Sequence, residues 1–129
     1  MAVQLNHHIV ASTDPARSAA WWGEMLGLGE PVRFGPFWQL TTANGVNIDF
    51  GGGMVPAESV TPHHYAFLVG EDDFDATFAR IVDRDIDYYA DPGAHQKREI
   101  NHRDGGRGVY FPDPDGHWLE IITRPYGGG

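Results

Sequence analysis

Hydrophobic and polar positions follow two periods along this chain, and the order in which those periods appear occurs twice. Leu5 to Ala11, LNHHIVA, has the short β-branched character of a strand. Asp14-Pro15 then offers an N-cap acceptor and a residue suited to the first helical turn. The run PARSAAWWGEMLG continues as a helix and stops at Gly27. Short runs at about 31–34, 37–43 and 46–50 read as strands, the last two joined by Asn44-Gly45 as a two-residue hairpin turn. A Gly- and Pro-bearing connector, 51–62, leads to a further strand, HYAFLV at His64–Val69. Between Glu71 and Arg84, Phe74, Phe78, Ile81 and Val82 fall at helical spacing and predict one apolar stripe facing a sheet. A polar loop of about 91–106, DPGAHQKREINHRDGG, precedes VYFPDPDGHWLEI, two β-rich runs around the turn Asp113-Pro114-Asp115-Gly116.

Both halves therefore read β-α-β-β-β. This is an internal duplication within one α+β domain spanning 1–129, with module 1 at about 4–50, the linker at 51–62 and module 2 at about 63–124. Each half begins with a histidine pair, His7-His8 and His63-His64. Neighbouring strand residues face opposite sides, so each pair sends one imidazole inward and leaves its partner, expected to be His8 or His63, on the other face. Each half also ends in a strand that holds an acid among apolar neighbours, Asp49 in NIDF and Glu120 in WLEI. Two histidines and two acids thus hold equivalent places in two copies of one motif, and a pseudo-twofold pairing of the copies lets them converge. A carboxylate buried alone in such a strand is costly, and metal coordination offsets the cost.

Composition narrows the chemistry further. The chain has no cysteine, which excludes disulfides, thiolate nucleophiles and iron–sulfur clusters and leaves His, Asp and Glu as metal ligands. A net charge of −9 argues against nucleic acid and anionic membranes as partners. No run approaches the length of a membrane span, and MAVQLNHHIV lacks the basic and apolar regions of an export signal, so a cytoplasmic location is expected. Gly51-Gly52-Gly53 lacks the Lys-Ser/Thr of a phosphate loop and reads as linker, and Gly127-Gly128-Gly129 as a frayed tail.

From LNHHIV through HHYAFLV to VYFPDPDGHWLEI, the chain resembles the vicinal oxygen chelate superfamily, also called the glyoxalase/bleomycin resistance/dioxygenase superfamily. The resemblance implies two βαβββ modules curled around a cleft, with metal ligands on the first and last strands. It assigns His7, His64 and Glu120 as ligands, and Asp49 as a fourth ligand or a base near the site. The implied ion is divalent, Fe²⁺, Mn²⁺, Ni²⁺ or Zn²⁺, and this donor set does not distinguish among them. Glu120, Asp49 and Tyr110 are the implied catalytic candidates. Trp118, Phe37, Trp38, His102 and Arg103 are candidates for substrate contact, Trp118 because it shares a strand face with Glu120.

The implied activity is that of a metal-dependent lyase, isomerase or dioxygenase of the glyoxalase type, with ring-cleaving dioxygenation lowered because relatives of that kind usually carry two such domains. It would act on a small oxygen-rich substrate by bidentate chelation and oxyanion stabilisation. The alternative is a metal-free protein of the bleomycin-resistance kind that sequesters an antibiotic. Relatives of this size usually dimerise, so a homodimer is expected. Two departures lower the fosfomycin-modifying option. Ile9 stands where those relatives carry Thr, and Asp104-Gly-Gly-Arg-Gly108 replaces their serine-bearing loop.

Overall fold

The computed structural model describes residues 2–51 and 60–125, and it divides into two units, Met1–Thr61 and Pro62–Gly129. Most of the connector, with Gly52 and Gly53, and the tail Gly127–Gly129 lie outside the described residues.

The first unit runs β1 (His7–Ala11), α1 (Pro15–Met25), β2 (Val32–Phe34), β3 (Phe37–Thr41) and β4 (Asn47–Gly51), in a sheet of order β1-β4-β3-β2. Asp14 caps α1 as its sequence suggests, its carboxylate accepting the Arg17 amide, and Gly27 takes φ 69° past the helix end. One face of the sheet carries Val10, Leu40, Ile48 and Phe50, buried with Ala19, Trp22 and Met25 of α1. Trp22 meets Phe50 edge to face at 5.0 Å. A Cβ on Gly23 would run into the Gly29 carbonyl oxygen, so only glycine lets the chain leaving α1 pass this close.

The hairpin between β3 and β4 corrects the expected turn. Thr42 donates to Val46 O at 2.9 Å and Gly45, at φ 82°, donates to Thr42 O at 2.9 Å. The loop is therefore Ala43-Asn44-Gly45, three residues with glycine in the left-handed position, rather than Asn44-Gly45 alone. Leu40 consequently pairs with Ile48 and Gln39 with Asp49. A two-residue loop would have shifted every pair by one and turned Asp49 to the other face relative to its partners.

The second unit runs β5 (His64–Leu68), α2 (Glu71–Asp83), a short 3-10 turn at Arg103–Gly105, β6 (Gly108–Pro112) and β7 (Trp118–Ile122), in a sheet of order β5-β7-β6. Where the duplication predicts a further strand, the unit has isolated bridges to β6, at Tyr89–Tyr110 and Asn101–Gly108. Tyr89 and Tyr110 exchange both backbone hydrogen bonds, at 2.9 and 2.8 Å. The core holds Phe74, Ile81, Val109, Phe111, Leu119 and Ile121, all fully buried. The stripe on α2 is narrower than its spacing suggests: Thr77 is buried with Phe74 and Ile81, whereas Val82 is 52% exposed. Arg107 braces the start of α2. Its Nη1 bonds Asp75 at 2.8 Å and its Nε Glu71 at 2.9 Å, while the guanidinium lies 4.3 Å from the Phe74 ring centre.

Candidate metal centre

The two units repeat one pairing. In the first, β1 runs parallel to β4 with His7 opposite Asn47 and Ile9 opposite Asp49. In the second, β5 runs parallel to β7 with His64 opposite Trp118 and Ala66 opposite Glu120. In each, the acid sits opposite the residue two places after the histidine. Strand alternation then puts His7 and Asp49 on one face of their sheet, and His64 and Glu120 on one face of theirs. The duplicated register expected from the sequence is present in both units.

In the second unit the histidine and the acid meet. His64 Nε2 lies 3.1 Å from Glu120 Oε1 and His64 Nδ1 lies 2.9 Å from the Trp118 carbonyl oxygen. A carbonyl only accepts, so Nδ1 carries the proton, and a neutral ring presents its Nε2 lone pair to an anionic oxygen. A second ring proton or a cation held by both atoms resolves that opposition. The spacing suits the cation: two ligand atoms each about 2.1 Å from one ion at right angles lie roughly 3 Å apart. Glu120 is 2% exposed, and its other oxygen, Oε2, is buried with no hydrogen-bond partner among the described residues. A carboxylate oxygen left in that state calls for a partner such as an ion. The residues present thus fit a metal, with Nδ1 anchored to a carbonyl as ligating histidines require.

Tyr110 and Trp118 share this face. Tyr110 pairs across the sheet with Glu120, and its hydroxyl is within hydrogen-bonding reach of that side chain. Burial raises the Tyr110 phenol above its ordinary range, and the bond to Glu120 and its charge act the same way. Arg103 pulls it back. The Tyr110 and Trp118 rings stack at 17°, 6.1 Å apart, with His64 5.8 Å from Tyr110 and Tyr89 5.5 Å from Trp118. Arg103 reaches in from the 3-10 turn, Nη1 donating to the Tyr110 hydroxyl oxygen at 3.2 Å. His102, beside it, is exposed.

In the first unit the pair stays apart. His7 is exposed and its Nδ1 lies 2.8 Å from Asn6 Oδ1, which leaves Nε2 as the lone-pair nitrogen, the arrangement His64 also shows. Asp49 is buried and its Oδ1 accepts from Gln39 Nε2 at 2.9 Å. Asn6, His7, Phe34, Gln39, Asn47 and Asp49 line a hollow of about 200 Å³. Phe37 lies on the same face, against Gly51, where a Cβ would come within 2.6 Å of its ring. Trp38, expected as a pocket wall, alternates to the α1 face opposite His7 and Asp49, where Arg33 covers its ring at 5.3 Å.

Among the described residues no three His, Asp or Glu gather in metal-holding geometry. The structure brings together His64, Glu120, Tyr110, Trp118 and Arg103 in one unit, and His7, Asp49 and Phe37 on one face in the other. Asn6, Gln39 and Tyr89 were not expected from sequence. A hairpin register counted back from Gly45 is the signal that could have found Gln39. His117, also unexpected, is fully buried, with its Nδ1 accepting the His63 amide at 3.0 Å and its own amide donating to Asp113.

Residues 4–121 match the model of the glyoxalase/bleomycin resistance protein/dioxygenase superfamily. The chain is 30% identical over 124 residues to the glutathione transferase FosA of Serratia marcescens, covering 94% of this chain and 81% of that protein. The solved structure of oxidase ChaP-H1 superimposes with a TM-score of 0.92 at 55% identity, covering 98% of this chain and 100% of that one. Oxidase ChaP-H2 gives 0.91 at 52% identity over 100% and 99%.

Proposed function

The chain belongs to the glyoxalase/bleomycin resistance protein/dioxygenase superfamily, and from that premise we propose that it is a metal-dependent oxidase acting on a small, planar, oxygen-rich substrate. The observation that carries the proposal is the opposed pair in the second unit, His64 Nε2 at 3.1 Å from Glu120 Oε1 with Oε2 buried beside it. The oxidase assignment is supported by identity above half to two proteins of that name along nearly the whole chain. It is preferred to thiol transfer because the glutathione transferase is more distant, at 30%.

His64 and Glu120 would hold the ion, with His7 as the third ligand and Asp49 as a fourth ligand or a base. A divalent ion bound there supplies a Lewis acid for two substrate oxygens and, as Fe²⁺ or Mn²⁺, electron exchange with dioxygen. The chain's own residues supply the rest. Trp118, half-buried, offers the ring against which a conjugated substrate stacks, with buried Tyr110 stacked on it from within the sheet. Tyr110, its phenol kept protonated well above neutral pH, donates a hydrogen bond to an oxygen that gains charge. His102, exposed beside Arg103, would add a substrate contact in the second unit, and Phe37, on the face of His7 and Asp49, one in the first. The active form is a homodimer.

The test is metal content. Protein purified without chelator should carry stoichiometric metal, Glu120→Ala less than about a tenth of it, and Fe²⁺-loaded wild type should consume dioxygen with a polyhydroxylated aromatic. Wild type without metal, and without affinity for added Mn²⁺, Fe²⁺, Ni²⁺ or Zn²⁺, would overturn the proposal in favour of metal-free sequestration.

A further inference from the structure

Arg103 is held with more care than a solvated loop side chain needs. Asn101 exchanges both backbone hydrogen bonds with Gly108, each 2.9 Å, and its side-chain amide donates to Ala90 O at 2.9 Å. Asn101 Oδ1 accepts the Arg103 amide at 3.3 Å, and the Gly106 amide closes on Arg103 O at 3.0 Å. Asp104 and Gly105 take φ 57° and 78° to complete the turn. A non-glycine residue such as Asp104 enters that region at a cost, so the turn is set by its surroundings. Its effect is to lay the Arg103 guanidinium on the Tyr110 hydroxyl.

That contact uses one of five N–H donors, and the acceptor is a neutral phenol. No carboxylate pairs with Arg103 among the described residues, in a chain with 18 acids against nine Lys and Arg. Arg107, four residues on, shows the contrast, saturated by Glu71 and Asp75. Arg103 therefore keeps its charge and a planar fork of donors free, one phenol away from Glu120. The Tyr110 ring it touches stacks on Trp118, which in turn meets Tyr89.

Resting on the oxidase reading of this face, we infer that Arg103 is a specificity-determining residue that selects planar aromatic ligands bearing an acidic oxygen, a ring carboxylate or acidic phenol, outside the chelating pair. The guanidinium binds that oxygen through two charge-assisted hydrogen bonds while the aromatic frame lies along Trp118. A neutral ligand of the same shape gains the stacking and loses the ionic contact.

Calorimetric titration of full-length, Zn²⁺-loaded protein tests this, with protocatechuate and its neutral amide as probes. Both present the same diol for chelation, and only the acid carries a ring carboxylate. Wild type should bind the acid about tenfold or more tightly than the amide. Arg103→Gln should bring the two within about twofold by weakening the acid far more than the amide, and Arg103→Lys should keep part of the preference. Equal affinity of wild type for both probes, no binding of the acid, or equal weakening of both by Arg103→Gln would each overturn it. The two proposals fail separately. Arg103-dependent preference without dioxygen consumption sinks only the oxidase reading, and oxidation without that preference sinks only this one.

Discussion

Two adjacent histidines on β1 are given opposite chemistry by which way they face. His7 is exposed with its Nδ1 tied to Asn6, ready to coordinate through Nε2. His8 is half-buried on the α1 side, and burial pushes its imidazole below the usual range. Asp49 opposes that shift and His7 adds to it. A histidine that resists protonation when folded is protonated more readily in the unfolded chain, so folding loses stability as pH falls below about 6.5. In metal-stripped protein, the drop in Tm from about pH 7.5 to about pH 5.5 should be smaller for His8→Leu than for wild type. Equal drops would show that His8 does not pay this cost. That one histidine of each pair faces the acid was legible from strand alternation and the repeated motif. The anchors were not. Asn6 holds His7 through a neighbouring side chain, and the Trp118 carbonyl holds His64 across 54 positions, which no periodicity encodes.

Helices and turns show how far local chemistry determines an element. Asp14-Pro15 places the start of α1, and the Asp14 carboxylate takes the Arg17 amide at 3.2 Å. Asp14→Ala should therefore cost about 1 kcal/mol in chemical denaturation, and Asp14→Asn, which keeps the acceptor, little. A cost shared by both would locate the effect in charge rather than in the cap. Asn44-Gly45 marked a hairpin correctly, yet its register depended on one more residue, Ala43, because a three-residue loop fits the same glycine in the left-handed position. Val82 fits the helical period as well as Ile81 does. Thr77 lies between Phe74 and Ile81 on the i, i+3, i+7 face and is covered with them, whereas Val82 falls one position off that face and is not. The missing strand of the second unit has a similar cause. The insertion at 91–106, with Ala94 and Arg98 at positive φ, folds back on itself through Tyr89 and Lys97, so only isolated bridges to β6 remain.

At the scale of the molecule, each unit presents its histidine on an outermost strand, His7 on β1 and His64 on β5. Open strand edges invite pairing with another strand. Both carry exposed apolar residues on the histidine's own face, Ile9 at 39% and Leu68 at 61%, as an association surface would. The proposed homodimer can therefore complete the ligand set by joining His7 of one copy to His64 and Glu120 of the other, and a mixture of inactive chains tests this directly. His7→Ala and Glu120→Ala should each lose metal binding and activity. Unfolded together and refolded in equal amounts, they form mixed dimers in which one of the two sites has every ligand. Half of random dimers are mixed, so activity should return to about a quarter of wild type. If His7 serves the Glu120 of its own chain, every site in the mixture lacks one ligand or the other and no activity returns, while size-exclusion chromatography with light scattering still reports the dimer.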